Sequence, residues 1–173
     1  AGAVLISQMG SPNLLYSTLP ADGGETGSMV FLFGSHNAAV SAFQVSSDGT
    51  MVVSGAEDGS LAVWRVADGE KVGSISAAHR GSVRAVAIAS ATCVMSSGND
   101  GSVRVWQVSD DPRLRMLHRM TPGDAPAPLT ALAMWSADAN GTKRLLAAGS
   151  ADGVVYAWTA DASGNSTDFG WRA

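Results

Sequence analysis

The sequence has a single cysteine, Cys93, so no disulfide can form within the chain and a small bridge-stapled secreted scaffold is not expected. Charge is sparse as well: Asp, Glu, Lys and Arg make up 15% of the residues, and 11 basic side chains face 15 acidic ones for a formal net charge of −4. That leaves no basic field to attract phosphates, and nucleic acid is not an expected partner. No apolar run approaches the ~20 residues of a membrane span, and the opening AGAVLISQ lacks the basic flank and apolar core of a secretory signal. No clustered Cys, His or carboxylate spacing marks a metal site, and no cofactor is expected. Helical spacing is nowhere sustained. Together these absences predict an intracellular, cytoplasmic chain with no membrane attachment, nuclear or cytoskeletal association remaining open. An opening on Ala1 reads as the interior of a longer polypeptide or as a processed start.

What the sequence does have is enough apolar content, 46% over 173 residues, to bury a core. It also has one phrase spelled three times. SGAEDGSLAVW runs from Ser54 to Trp64, SSGNDGSVRVW from Ser96 to Trp106, and the looser AGSADGVVYAW from Ala148 to Trp158. Each copy carries an Asp-Gly pair, at Asp58-Gly59, Asp100-Gly101 and Asp152-Gly153, with a tryptophan six residues after the Asp. Asp-Gly between short β-prone runs is a tight-hairpin signal, because Gly accepts the positive backbone torsion of such turns. MVVS, CVMS and LLAA lead into the turns, and LAVW, VRVW and VYAW leave them.

Upstream, VSAFQV, VRAVAI and LTALAM share their apolar positions and predict one more strand each, while MVFLF, KVGSIS and LRMLHRM supply a fourth per unit. SSDGT and VADGE are turn chemistry. The predicted unit is therefore a four-stranded antiparallel meander of roughly forty residues, a period that points to propeller blades. Apolar residues on both faces of nearly every strand agree with sheets sandwiched between neighbours.

At this point the pattern resembles the WD-repeat β-propeller family. Its signature, a Gly-His-like pair, a Ser or Thr closing the second strand, an Asp in the turn and a Trp in the third strand, is matched by His36, Ser54, Asp58 and Trp64 and again by His79, Ser96, Asp100 and Trp106. The third unit keeps Asp152 and Trp158 but has Ala148 in place of Ser and no His in GDAPAP. The expected fold is all-β, a partial WD-repeat propeller of about three to three and a half blades. Residues 1–28 read as the remnant of a preceding degenerate blade plus a turn. Repeats are expected at 29–66, 71–108 and, with loop insertions, 113–160, and residues 161–173 as a tail or the start of a further blade.

In each set the Asp carboxylate is expected to accept from the imidazole, which bonds the Ser hydroxyl, which accepts from the indole N–H. Losing one buried member of such a latch should cost about 1–3 kcal/mol. Ser, His and Asp are also the parts of a nucleophilic triad. Two copies on one chain and a fixed Trp, which has no task in acyl transfer, favour the structural reading. An enzyme working in the central funnel would need inward carboxylates or histidines from several blades, and none stands out, so no catalytic residue is assigned. His118 reads as a solvated histidine, Cys93 as an inert packed thiol, and Arg113, Arg115 and Arg119 as a solvated edge.

The resemblance implies a non-catalytic interaction scaffold in a multi-protein complex, binding other proteins through loops on one disc face. Family positions on that face fall on Glu57, Asn99 and Ala151 before the turn Asp, on Ser41, Arg84 and Thr130 near the inner-strand starts, and on Asn37 and Arg80 after the latch histidines. Glu57, Arg84, Asn99, Ser41, Thr130 and Arg80 are the candidate partner-binding residues. The inserts TPGDAPAP and SADANGT, with Trp135 beside the second, are further candidates as an exposed anchor or a packed rim. The alternative is the substrate-recognition subunit of a modifying enzyme such as a ubiquitin ligase. A Trp-Asp-any-Arg box, which in the family often accompanies ligase adaptors, is absent, since Arg65, Gln107 and Thr159 follow the tryptophans. About three and a half blades do not close a ring. The remainder is expected from the same longer chain, or alternatively from a second copy or a partner.

Overall fold

The computed structural model describes the backbone of residues 2–7, 10–19, 29–31, 36–123, 127–136, 143–161 and 166–172, with side chains at 10–13, 36–123, 127–135 and 145–159. Every element among them is a β-strand. A first sheet joins β1 (Gly2–Ser7), β2 (Leu14–Leu19) and β3 (Met29–Phe31). Three four-stranded sheets follow. The second sheet holds β4 (Val40–Val45), β5 (Met51–Ala56), β6 (Leu61–Arg65) and β7 (Lys71–Ile75). The third holds β8 (Val83–Ser90), β9 (Cys93–Gly98), β10 (Val103–Gln107) and β11 (Arg115–Met120). The fourth holds β12 (Leu129–Ser136), β13 (Lys143–Ser150), β14 (Val155–Asp161) and β15 (Ser166–Arg172). Each is an antiparallel meander in chain order, and the sheets do not close into a ring.

Sheet and sequence unit are out of phase by one strand. MVFLF opens the first repeat in the sequence, yet Met29–Phe31 pairs with β2 and lies in the preceding sheet, while KVGSI of β7 pairs back to β6. The hairpins tie Asp to Trp locally, but the run before each latch histidine is still bonded to the sheet it leaves. In the same way β15 pairs with β14 as the outer strand of the fourth sheet, Ala157 opposite Trp171.

The core lies between sheets. Met51, Val53, Leu61 and Val63 of the second sheet pack on Val83, Val86, Val94 and Trp106 of the third. Ala87, Met95 and Val103 on the third sheet's other face pack on Leu129, Leu146, Ala148 and Trp158 of the fourth. Val40, Val52, Ala62 and Trp64 form a smaller cluster on the opposite face of the second sheet. All six residues of β5 are buried, which is why a strand with apolar residues on both faces, MVVSGA, forms here. Fully burying one such Val or Leu contributes about 1.5–3 kcal/mol relative to leaving it in water.

Backbone bonds join successive sheets at one end. The His79 N–H donates to the Gly59 carbonyl at 3.2 Å, and the His36 N–H donates to the Pro12 carbonyl at 3.2 Å. Gly59 has φ +82°, and a Cβ there would lie 2.3 Å from the His79 carbonyl oxygen, so this turn needs glycine both for its torsion and for the close approach. Side-chain hydroxyls add further stitches. Ser41 Oγ donates to the Val83 carbonyl at 2.6 Å, and Ser97 Oγ donates to the Leu129 carbonyl at 3.1 Å.

Candidate functional site: the latches and the loop edge

The four signature groups of the third sheet come together. Trp106 Nε1–H donates to Ser96 Oγ at 2.9 Å, Ser96 Oγ meets His79 Nε2 at 2.7 Å, and His79 Nδ1 meets Asp100 Oδ1 at 2.9 Å. Ser96 has one hydroxyl proton, so with the indole donating to its oxygen it donates to Nε2, which places the imidazole proton on Nδ1 facing the carboxylate. Burial pushes the His79 pKa down, outweighing the hydrogen bond and the charge of Asp100 that raise it, so the ring is neutral and relays dipoles rather than charge.

The charge partner of Asp100 is Arg104, one position before Val105 on the strand leading to Trp106. Its Nη2 donates to Asp100 Oδ2 at 2.8 Å, its Nε to Ser102 Oγ at 3.2 Å, and its Nη1 to the Ala78 carbonyl. Ser102 Oγ donates to Asp100 Oδ1 at 2.7 Å, and the Arg80 N–H donates to Oδ2 at 3.1 Å. Burial alone would raise the Asp100 pKa. The bonds from His79, Ser102 and Arg80 overcome it and hold the carboxyl well below the usual carboxylate range.

The second sheet builds a longer version. Trp64 Nε1–H donates to Ser54 Oγ at 2.7 Å, and Ser54 Oγ meets His36 Nε2 at 2.7 Å. His36 Nδ1, however, meets Ser60 Oγ at 2.7 Å instead of Asp58. Ser60 in turn hydrogen-bonds Asp58 through its side chain and, at 2.9 Å, through its N–H. The expected direct imidazole-to-Asp58 contact is thus corrected to a serine-mediated one. Burial would raise the Asp58 pKa, but the Ser60 bonds and the nearby His36 bring it below its ordinary value. Burial again lowers the pKa of His36.

In the fourth sheet Ser150 Oγ donates to Asp152 and accepts the Val154 N–H at 3.1 Å, closing the turn on itself. Ala148 is buried where the other sheets have the serine, and Trp158 is buried against Leu129 and Leu146 in the core. This sheet holds its tryptophan by packing.

Of the candidate partner-binding residues, Glu57, Arg80, Arg84, Asn99, Thr130 and Ser41 are all exposed. Ser41 is nonetheless engaged, its hydroxyl pinning the next sheet through the Val83 carbonyl, so its side chain is part of the inter-sheet seam and not of a free surface. Thr130 Oγ1 lies 3.4 Å from the Gly149 carbonyl. The Glu57 N–H donates to the Ala39 carbonyl at 2.9 Å and the Asn99 N–H to the Ser82 carbonyl at 3.0 Å, which fixes both backbones and leaves their side chains at the edge. Trp135 is exposed, at 66%. Residues 124–126 of TPGDAPAP and 137–142 of SADANGT lie outside the described residues. His118 and Cys93 are half-buried, and Arg113, Arg115 and Arg119 are exposed.

The sequence reading missed Ser60, Ser102 and Arg104. The signal for the serines was the shared Asp-Gly-Ser of the first two phrases, absent from Asp-Gly-Val in the third. Arg104 was visible as a charge inside VRVW where LAVW has alanine. Among the described residues no group of three or more His, Cys, Asp or Glu is placed to hold a metal ion.

Two segments, residues 27–65 and 69–107, match the family described as WD domain, G-beta repeat. No curated protein matches the chain. Among solved structures, it is similar to a chain of the crystal structure of a mitotic checkpoint complex, with 19% identity and a TM-score of 0.70 over 97% of this chain and 47% of that one. It is also similar to the computationally designed Ika8 protein, with 25% identity and a TM-score of 0.61 over 95% of this chain and 47% of that one. The chain spans about half the length of these solved chains, and likeness at such identity speaks of fold alone. The matched segments and the sheet stack agree: the chain carries two WD repeats, at residues 27–65 and 69–107, within a series of propeller-like sheets.

Proposed function

We propose that the chain is a non-catalytic scaffold that binds other proteins through the loop edge carrying the latches. One observation supports this most. The serines and histidines that, with Asp, mimic a nucleophilic triad are consumed internally, each serine hydroxyl held between an indole and an imidazole. Around them the same loops leave Glu57, Arg80 and Asn99 exposed on backbones fixed by hydrogen bonds, with Arg84 exposed at the start of β8. Loops on a rigid scaffold are where recognition sits, and fold alone assigns no chemistry.

In this reading the protein acts inside the cell within a multi-protein assembly, and further sheets of the same longer polypeptide cover the open face of the fourth sheet. The positions that bind the third sheet to the fourth, Ala87, Met95 and Val103, correspond in register to Ala133, Ala147 and Val155 in the fourth, of which Ala133 and Val155 are exposed.

The test is affinity capture with the wild-type chain and with a Glu57→Lys/Arg84→Glu double variant, alongside thermal unfolding. The reading expects the variant to melt like the wild type and to lose the partners that the wild type holds. Retention of every partner by the folded variant would contradict it.

A further inference from the structure

The second and third sheets differ at one position in a way that leaves a hole. Arg104 pairs with Ser96 on one side and Arg119 on the other, and Ala62 occupies the same place in the second sheet, between Ser54 and Ser74. In the third sheet the Arg104 guanidinium, with its side chain only 14% exposed, ties Asp100, Ser102 and the Ala78 carbonyl together. In the second sheet the side chain stops at Cβ. A cavity of about 140 Å³ lies there, lined in part by His36, Asn37, Ser60, Ala62, Trp64 and Lys71.

We propose that this cavity receives an arginine side chain from a partner protein, which supplies in trans what Arg104 supplies in cis one sheet later. Two observations favour a guanidinium. Ser60 lines the cavity and Asp58 occupies the turn position of Asp100, so the two side-chain oxygen groups that Arg104 grips have counterparts. Asp58 is ionised and exposed and, among the described residues, forms no ion pair, whereas Asp100 has Arg104. Lys71 does not forbid entry. Its Nζ lies over the Trp64 ring, 5.6 Å from the centroid, and the third sheet already holds Arg104 next to its cross-strand neighbour Arg119. The geometry also explains why Ser60 stands between His36 and Asp58: the carboxylate lacks the cation that draws Asp100 to its imidazole.

The proposal rests on the reading of the chain as a partner-binding scaffold, but its test uses none of the loop side chains that test that reading. The probe is N-acetyl-arginine methylamide, titrated into the chain while the indole N–H of Trp64 and the ring of His36 are followed by NMR, with the lysine and aspartate analogues as controls. Expected are a saturable shift confined to Trp64, His36 and their neighbours, binding at least tenfold weaker for the lysine analogue, and loss of binding in Ala62→Arg, which fills the hole. Asp58→Asn, which keeps the turn, should weaken binding at least tenfold and stands in if Ala62→Arg fails to fold. Absence of a saturable shift, equal binding by Asp58→Asn, or preferential binding of the aspartate analogue would overturn the proposal.

Discussion

Ser96 has one hydroxyl and two partners, accepting from the Trp106 indole and donating to His79, and it is fully buried. Ser96→Ala should therefore cost about 1–3 kcal/mol, because it leaves two buried polar groups unsatisfied. Ser47→Ala, at an exposed turn, should stay within about 0.5 kcal/mol. Urea midpoints at unchanged slope measure both. The titration of the same groups gives a second expectation. Burial holds His36 and His79 below the ordinary 6.5, so the unfolded chain takes up protons first, and stability falls as pH drops through 6.5 towards the folded values. Asp100 is held below the ordinary 3.8, so its contribution, present above 3.8, is lost as pH falls further. The urea midpoint should descend in two steps with acid, and Asp100→Asn should shrink the lower step while keeping the upper. At this scale the Ser96, His79, Asp100 and Trp106 set was legible, because its spacing recurs. The Ser60 relay was not, since spacing says nothing of which oxygen lies within reach of a ring nitrogen.

The β5–β6 hairpin, tied by its glycine turn to the loop entering β8, is the element on which the stack turns. Leu61 is fully buried against the third sheet, and Leu61→Ala should cost about 2–5 kcal/mol. Leu117 on the outer strand β11 is 38% exposed, and the same change there should be several times milder. Gly59→Ala should destabilise despite the ~0.4–1 kcal/mol that a stiffer unfolded chain returns, because its Cβ meets the His79 carbonyl in a left-handed turn. Chemical denaturation of the three variants checks the ranking. Strands and turns were readable from Asp-Gly and the apolar runs flanking it. Their phase was not: a repeat copied in sequence need not begin where a sheet begins, and Met29–Phe31 bonds backwards to β2.

For the whole molecule, the seams between successive sheets and the exposed Ala133, Trp135 and Val155 of the fourth sheet set the behaviour. Trp64, Trp106 and Trp158 are buried while Trp135 is 66% exposed. In the 173-residue chain, acrylamide should therefore quench a fraction of the tryptophan emission that Trp135→Phe removes. Quenching unchanged by Trp135→Phe would contradict the exposed face. That a partial propeller is present was visible from counting phrases. How successive sheets are stitched, by the Ser41 and Ser97 hydroxyls reaching carbonyls on the neighbouring inner strand, depends on contacts between residues 42 and 32 apart and left no local signature.

The third-sheet latch depends on a neutral imidazole wedged between serine and aspartate, and the ring nitrogens report it directly. Side-chain ¹⁵N NMR of His79 across the pH range should show a neutral ring with its proton on Nδ1, persisting to pH values below 6.5, and a Trp106 indole proton shifted by its hydrogen bond. A His79 that titrates freely near 6.5 with mixed tautomers would contradict it.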